Sequence, residues 1–342
     1  MMRRFLILLV AFVSSCGDAQ TGSDGNGPGG GSGNPSTMNN GGGAGDGLGG
    51  GSVDGGGTGA GGGGGGGAGG TSTTAIGPTG GTVTLLHFGI TGDTRPPNCE
   101  DTAGYPTSVI TTIAQEFEKL GLAMALDLGD HMYVCNNDLS IATTQMGIYM
   151  NAIKSFTGTW FMTMGNHECT GTPCLPGSGN ANYVSYMKAL APISKLPYYT
   201  LDVQTSLGLV TFVVIADNAW SSAQATWLEA TLAAADTKAK YTIVARHHPE
   251  GDSTVSTNAT SVQIIRNHKF ALFLTGHSHY YKHMTTDGGR DLVMGTGGAP
   301  LIAGGAFHGY ALIDQQADGH LKVTVYDIGN ALQDSWSVGP NQ

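Results

Sequence analysis

Five short polar clusters carry the residues of this chain that could do chemistry: GDTR at 92–95, GDHMY at 129–133, GNHE at 165–168, RHHP at 246–249 and GHSH at 276–279. Each follows an apolar run of strand-like composition. Between them they offer Asp, Asn and His side chains, hard-to-borderline donors suited to iron, zinc or manganese. Alone, GHSH reads as a turn with two hydrogen-bonded histidines, and GNHE as a helix cap. Five in succession, each behind a strand, point to one metal site, because ligands of α/β folds gather beyond the carboxyl ends of strands. GDTR raises a difficulty. Arg95 is a cation two residues after Asp93 and cannot ligate, so the site is either incomplete or draws a ligand from elsewhere.

The elements that must position these clusters alternate along the chain. Strand-like runs fall at 82–88, 123–128, 160–164, 209–216, 241–245 and 271–274, and helical patterns at 107–120, 139–153, 182–190, 223–235 and 261–267. This rhythm predicts sheets covered by helices. More closely spaced strands, at 292–294, 310–313 and 321–326, end the chain. The expectation is an α/β domain of two mixed sheets packed together between helical layers.

In its clusters the chain resembles the calcineurin-type metallophosphoesterases, and among them it is most similar to the purple acid phosphatases. The blocks of those enzymes read D-x-G, G-D-x-x-Y, G-N-H-D/E, V-x-x-H and G-H-x-H. The last four stand here as GDHMY, GNHE, VARH at 244–247 and GHSH; the first departs, with Arg95 in place of Gly. The resemblance covers residue 82 to the C terminus and implies the calcineurin-like α-β-β-α sandwich of two mixed β-sheets flanked by helices. It also implies two metal ions. Asp93, Asp130, Tyr133 and His279 would hold the first, and Asp130 would bridge to a second held by Asn166, His247 and His277. His167 would lie beside the leaving group as the catalytic proton donor. A phenol ligates as phenolate, which ferric iron favours and zinc or magnesium does not. Tyr133 therefore implies Fe(III) in the first position, with divalent Fe, Zn or Mn in the second. Tyr133 also supplies the ligand that Arg95 cannot. That leaves Arg95 two readings about level: a planar fork that binds phosphate oxygens of the substrate, or a salt bridge that steadies the loop.

The function so implied is hydrolysis of small-molecule phosphate esters, foremost an acid-phosphatase-like phosphomonoesterase. A phosphodiesterase or nucleotide hydrolase would use the same centre. A surface-binding protein on a decayed catalytic fold would lack ligands, and every carried-over ligand is present. A metalloprotease is disfavoured further, since no HExxH occurs. The remaining polar residues take plainer readings: His248 as a hydrogen-bonding group, His131 and His283 as outlying or surface groups, His87 as packed within its strand, Glu168 as loop support, and Asp217 with Asn218 as a turn.

Lys and Arg number 15 against 25 acidic residues, for a net charge of −10. No basic face for nucleic acid is expected, and an anionic substrate must be attracted locally, by bound metal. At the N terminus, Arg3 and Arg4 precede a short apolar run that ends Val13-Ser14-Ser15-Cys16. This resembles the bacterial lipobox and implies a signal peptide over 1–15, lipidation of Cys16 and anchoring to a membrane. Gly17, rather than Asp, after the cysteine points to the outer membrane or cell surface. Residues 16–81 hold more than half of the 57 glycines. Such a segment cannot bury enough surface to offset its ordering entropy, and as a disordered tether it spans roughly 40–45 Å. Residues 82–342 form one domain. In an exported protein Cys99, Cys135, Cys169 and Cys174 suggest two disulfides, with three pairings open. The expected pairs are Cys99 with Cys135 and Cys169 with Cys174; a zinc site would want a CxxC spacing that is missing.

Overall fold

The computed structural model describes residues 76–342 apart from 172, 253–257, 286–287 and 306. The expected signal peptide over 1–15, the expected lipidation site Cys16 and the expected tether as far as residue 75 lie outside the described residues. The folded part takes in more of the Gly-rich end than the boundary at residue 82 anticipates. Ile76 is buried in the main apolar cluster and its carbonyl accepts from Thr159 Oγ1. Behind it Gly80–Thr82 pairs as a strand.

Among the described residues the strands, numbered along the chain, form two mixed sheets. The seven-stranded sheet runs in the order β1 (Gly80–Thr82), β5 (Tyr199–Thr205), β6 (Gly208–Val214), β7 (Tyr241–Ala245), β8 (Leu272–Thr275), β10 (Asp291–Met294) and β9 (Tyr281–Met284). The six-stranded sheet runs β13 (Leu332–Val338), β12 (Leu321–Asp327), β11 (Gly309–Gln315), β2 (His87–Thr91), β3 (Met124–Asp127) and β4 (Thr159–Met162). Each sheet has a parallel part, β2-β3-β4 at one end of the six-stranded sheet and β6-β7-β8-β10 inside the seven-stranded one. Parallel strands present their carboxyl ends on one edge, which is what gathers the polar clusters.

Alternation along β2 shows how the layers are joined. Phe88 packs edge-on against Phe212 of β6, ring centroids 5.1 Å apart, across the space between the sheets. On the opposite face Phe117 of α1 (Thr107–Lys119) meets Tyr310 of β11 at 5.3 Å. Helices α2 (Leu139–Ala152) and α3 (Ala181–Leu190) join α1 in the same apolar cluster. The seven-stranded sheet is covered by α4 (Ser222–Lys238) and α5 (Asn258–Arg266), whose Leu228, Leu232 and Ile265 pack on Val213, Val244 and Phe273. Three of these helices start on side-chain caps at Asp138, Asn180 and Ser221, which accept from the otherwise unpaired first-turn N–H groups. The α-β-β-α sandwich of two mixed sheets is therefore as expected, and no described helix is long and apolar enough to cross a membrane.

Two details differ. The apolar run at 82–88 splits into the end of β1 and the start of β2, with Leu85 turned outward between them. Strands β5, β9 and β13 were not among those expected, because they are not apolar runs: β5 alternates buried and exposed residues, and β13 is exposed for most of its length. Both disulfides pair as expected, Cys99 with Cys135 and Cys169 with Cys174.

Candidate metal centre

Each cluster begins within a few residues of a strand's carboxyl end: Asp93 after β2, Asp130 after β3, Asn166 and His167 after β4, His247 after β7, and His277 and His279 after β8. Backbone bonds lock the loops to one another. Asp93 N donates to Gly129 O (2.9 Å), Thr94 N to Asp130 O (3.0 Å) and Gly276 N to His247 O (2.8 Å). Asp93, Asp130, His277 and His279 all adopt the left-handed conformation, with φ of 60°, 59°, 68° and 46°. For non-glycine residues that costs about 1–3 kcal/mol each and persists where the surroundings impose it, as at ligand clamps. Gly129 (φ 104°) and Gly165 admit no side chain. A Cβ on the first would stand 2.8 Å from His247 Nδ1, and one on the second 2.3 Å from Asp130 Oδ1.

The polar atoms form two adjoining groups. Asp93, Asp130 and His279 bring ligand atoms within 4.8 Å of one another, with His279 Nε2 3.5 Å from Asp93 Oδ1. Beside them His247 Nε2 lies 3.0 Å from Asn166 Oδ1 and 3.3 Å from Asp130 Oδ1, and His277 Nδ1 lies 2.9 Å from Asn166 Oδ1. The other nitrogen of each ring faces an acceptor: His247 Nδ1 meets Leu128 O at 2.7 Å, His279 Nδ1 meets Pro300 O at 2.8 Å, and His277 Nε2 meets Asp252 Oδ2 at 2.9 Å. Those outer nitrogens carry the protons, so in the neutral rings the inner ones present lone pairs to carboxylate and amide oxygens. Acceptors facing acceptors in a buried site call for a cation among them. Neighbouring ligands on bonds of about 2.1 Å stand roughly 3 Å apart, as these atoms do. Asp93 Oδ1 is also buried and accepts no hydrogen bond among the described residues. The residues present thus fit a pair of metal ions.

The electrostatics carry the same strain. Burial, with Asp130 beside it, pushes Asp93 well above the usual carboxylate range. Burial would raise Asp130 too, but His247, His167 and Arg95 around it hold it well below. Burial would lower His247, yet Asp130 and Asp93 raise it to about 10, so at Nε2 a proton takes the place that a metal cation would fill. Burial and the Arg95 charge bring His279 down to about 4, and burial brings His167 to about 4 against the pull of Asp130.

Arg95, Tyr133 and His167 make one wall. The Arg95 guanidinium sits 4.5 Å over the Tyr133 ring, and the ring meets His167 edge-on at 4.5 Å. Arg95 Nε is 3.8 Å from Asp130 Oδ2 and makes no hydrogen bond among the described residues, while Nη1 donates to Pro96 O. His167 Nε2 lies 3.8 Å from the same Asp130 oxygen. All the residues expected at the site are therefore brought together, Tyr133 through its ring.

Beneath the loops lies a support that reading the clusters one by one did not reveal. His131, fully buried, stands between Asp127 (3.0 Å) and Glu168 (3.4 Å). Burial alone would lower its pKa, but the two carboxylates raise it to about 10. Glu168 also accepts from the backbone N–H of Asp130, His131 and Gly165, tying GDHMY to GNHE. Glu168 is loop support, as expected. His131 is no surface group but the cation of a buried triad. Asp217 does more than turn the chain: its Oδ2 accepts from His248 N (3.2 Å) and Nδ1 (2.9 Å). Asp252 follows RHHP by three residues in a Gly-containing loop, and its partner His277 belongs to another cluster, so no local spacing marks it. Asp127 and Asp217 end apolar strand runs, a signal that could have marked them.

Residues 86–281, more than half of the chain, match the family model of the calcineurin-like phosphoesterases. No curated protein sequence matches. Among solved structures the fold is similar to that of a purple acid phosphatase from yellow lupin (Lupinus luteus), at TM-score 0.54 and 17% identity, covering 74% of this chain and 53% of that one. The chain thus spans about half the length of the lupin protein. It is also similar to GAP50, the anchor in the inner membrane complex of Plasmodium (TM-score 0.59, 13% identity, 76% and 90% covered), and to a dimetal phosphatase from Danio rerio (0.52, 12%, 75% and 99%).

Proposed function

This chain belongs to the calcineurin-like phosphoesterase family, and on that premise we propose that it hydrolyses phosphate monoesters at a dinuclear metal centre, in the manner of a purple acid phosphatase. The observation that carries the reading is the meeting of three imidazole lone pairs with the oxygens of Asp93, Asp130 and Asn166. Asp93, Asp130, Tyr133 and His279 hold the first ion, Fe(III); Asp130, Asn166, His247 and His277 hold the second, divalent Fe, Zn or Mn. A pair of such ions, when bound, supplies charge for both the attacking and the departing oxygen of an in-line phosphoryl displacement.

The chain's own residues do the rest. Arg95 offers an uncommitted buried Nε beside the Asp130 carboxylate and binds a phosphate oxygen there. The cation–π contact with Tyr133 holds the guanidinium over that ring. His167, on the same wall, gives a proton to the leaving alkoxide, a role that its pKa of about 4 confines to acid pH. The lipid anchor at Cys16, the tether and an outer-membrane or cell-surface location belong to the same proposal. They are supported by the N-terminal sequence and by two disulfides, which persist in oxidising compartments.

A phosphodiesterase or nucleotide hydrolase on the same centre is separated by comparing an aryl phosphomonoester with an aryl phosphodiester. A purely binding role, as an anchor, is disfavoured by the full set of ligands. Asp130→Ala and Asn166→Ala each abolish hydrolysis while the circular dichroism stays native. Activity retained in either variant refutes the site.

A further inference from the structure

Three of the site's imidazoles follow one plan: one ring nitrogen is turned to an acceptor (Leu128 O, Pro300 O or Asp252 Oδ2) and the other is left to the centre. His248 repeats that plan. It is buried, its Nδ1 lies 2.9 Å from Asp217 Oδ2, and its own N–H donates to the same oxygen at 3.2 Å. A carboxylate only accepts, so Nδ1 bears the proton and Nε2 of the neutral ring keeps its lone pair. Asp217 is itself fully buried, with Arg246 Nε 4.0 Å from the same oxygen. Arg246 in turn fixes the loop by donating to His248 O (2.7 Å) and Pro249 O (3.1 Å). Burying a carboxylate and a guanidinium to hold one imidazole is costly unless the orientation of that ring matters.

His247, His248 and His277 each bring a ring nitrogen within 4.8 Å of those of the other two. The His248 ring centroid is 4.2 Å from that of His277 and 5.0 Å from that of His247. We infer that His248, oriented by Asp217, is a further ligand of the second ion, which the four ligands drawn from the family's pattern do not include. Its ligands are then Asp130, Asn166, His247, His277 and His248. Imidazole-rich sets suit zinc and iron, whereas manganese prefers oxygen, so the second position takes Zn or Fe in preference to Mn.

This inference rests on the two-metal reading above, and one titration separates them. The affinities of both ions are measured by dialysing the full chain against zinc at graded chelator concentrations, with elemental analysis. Two ions per wild-type chain support the two-metal reading; fewer than two overturn it and the inference with it. Given two, His248→Ala weakens the second ion at least tenfold and leaves the first unchanged, and Asp217→Asn weakens the second by about 10- to 100-fold. Wild-type affinity for both ions in His248→Ala overturns the inference while the two-metal reading stands. Should that variant fail to fold, the wild-type protein with Cu(II) in the second position answers by electron spin-echo modulation: three coupled imidazoles support the assignment and two overturn it.

Discussion

The Arg95 guanidinium lies 4.5 Å over the Tyr133 ring, with its Nε 3.8 Å from Asp130 Oδ2. Two residues from different loops, one the apparent defect of GDTR and the other the remedy offered by GDHMY, are thus in contact. This position over the ring suits phosphate binding, since the guanidinium is held beside the metal ligands and Nε is uncommitted. Arg95→Ala raises KM for an aryl phosphomonoester by roughly 10- to 100-fold, the loss of a charge-assisted hydrogen bond of about 1.5–3 kcal/mol. Metal content stays at the wild-type level. Arg95→Lys recovers little, because a flexible ammonium neither stacks nor forks. Steady-state kinetics beside elemental analysis checks this; loss of metal in Arg95→Ala identifies a loop-steadying role instead.

Tyr133 is the residue on which the identity of the first ion turns. With iron bound, the purified protein absorbs in the visible through phenolate-to-Fe(III) charge transfer. Tyr133→Phe loses that band and holds iron less tightly, while zinc in the second position is unaffected. A colourless, iron-free wild type with full activity sinks the ferric assignment.

Much of the fold and the gathering of the polar loops is legible in the amino-acid sequence. The strands that carry the clusters are apolar on both faces because helices cover one side and the second sheet the other, so β3, β7 and β8 read as plain hydrophobic runs. Side chains at the ends of such runs stand out by contrast, which is why Asp93, Asp130, Asn166, His247, His277 and His279 were all legible. Strands with one wet face, such as β5 and β13, lack that contrast. The outer supports were hidden for another reason. Asp252 reaches His277 across a separation of 25 positions, and Asp217 reaches His248 across 31. No local pattern records a contact made only by folding.

The two disulfides should differ in worth. Cys99 and Cys135 are 36 positions apart and connect the segments that follow GDTR and GDHMY, whereas Cys169 and Cys174 are only 5 apart. Closing the longer loop constrains the unfolded chain more, by about 4 kcal/mol against about 2 kcal/mol. Urea denaturation of the Cys99→Ser/Cys135→Ser and Cys169→Ser/Cys174→Ser variants at pH 7 ranks them in that order. An equal or reversed ranking means that native contacts, not loop entropy, set their value.

The buried triad under the site makes a pH-dependent contribution to stability whose sign is fixed by its charges. Asp127 and Glu168 hold His131 at about 10, above the ordinary 6.5. Below about pH 6.5 the ring is charged in both the folded and the unfolded chain, and the stabilisation is fully present. Between 6.5 and 10 only the folded protein keeps the proton, so stability falls by about 1.4 kcal/mol per pH unit until the folded state also releases it. His131→Gln removes the titrating group and leaves two buried carboxylates without their cation, at a cost of about 3–5 kcal/mol at pH 7. Urea midpoints at pH 7, 8, 9 and 10 should therefore converge: the wild type loses stability with rising pH and the variant much less. Parallel curves would show that the ring is neutral in the native protein and that Glu168 alone joins the two loops.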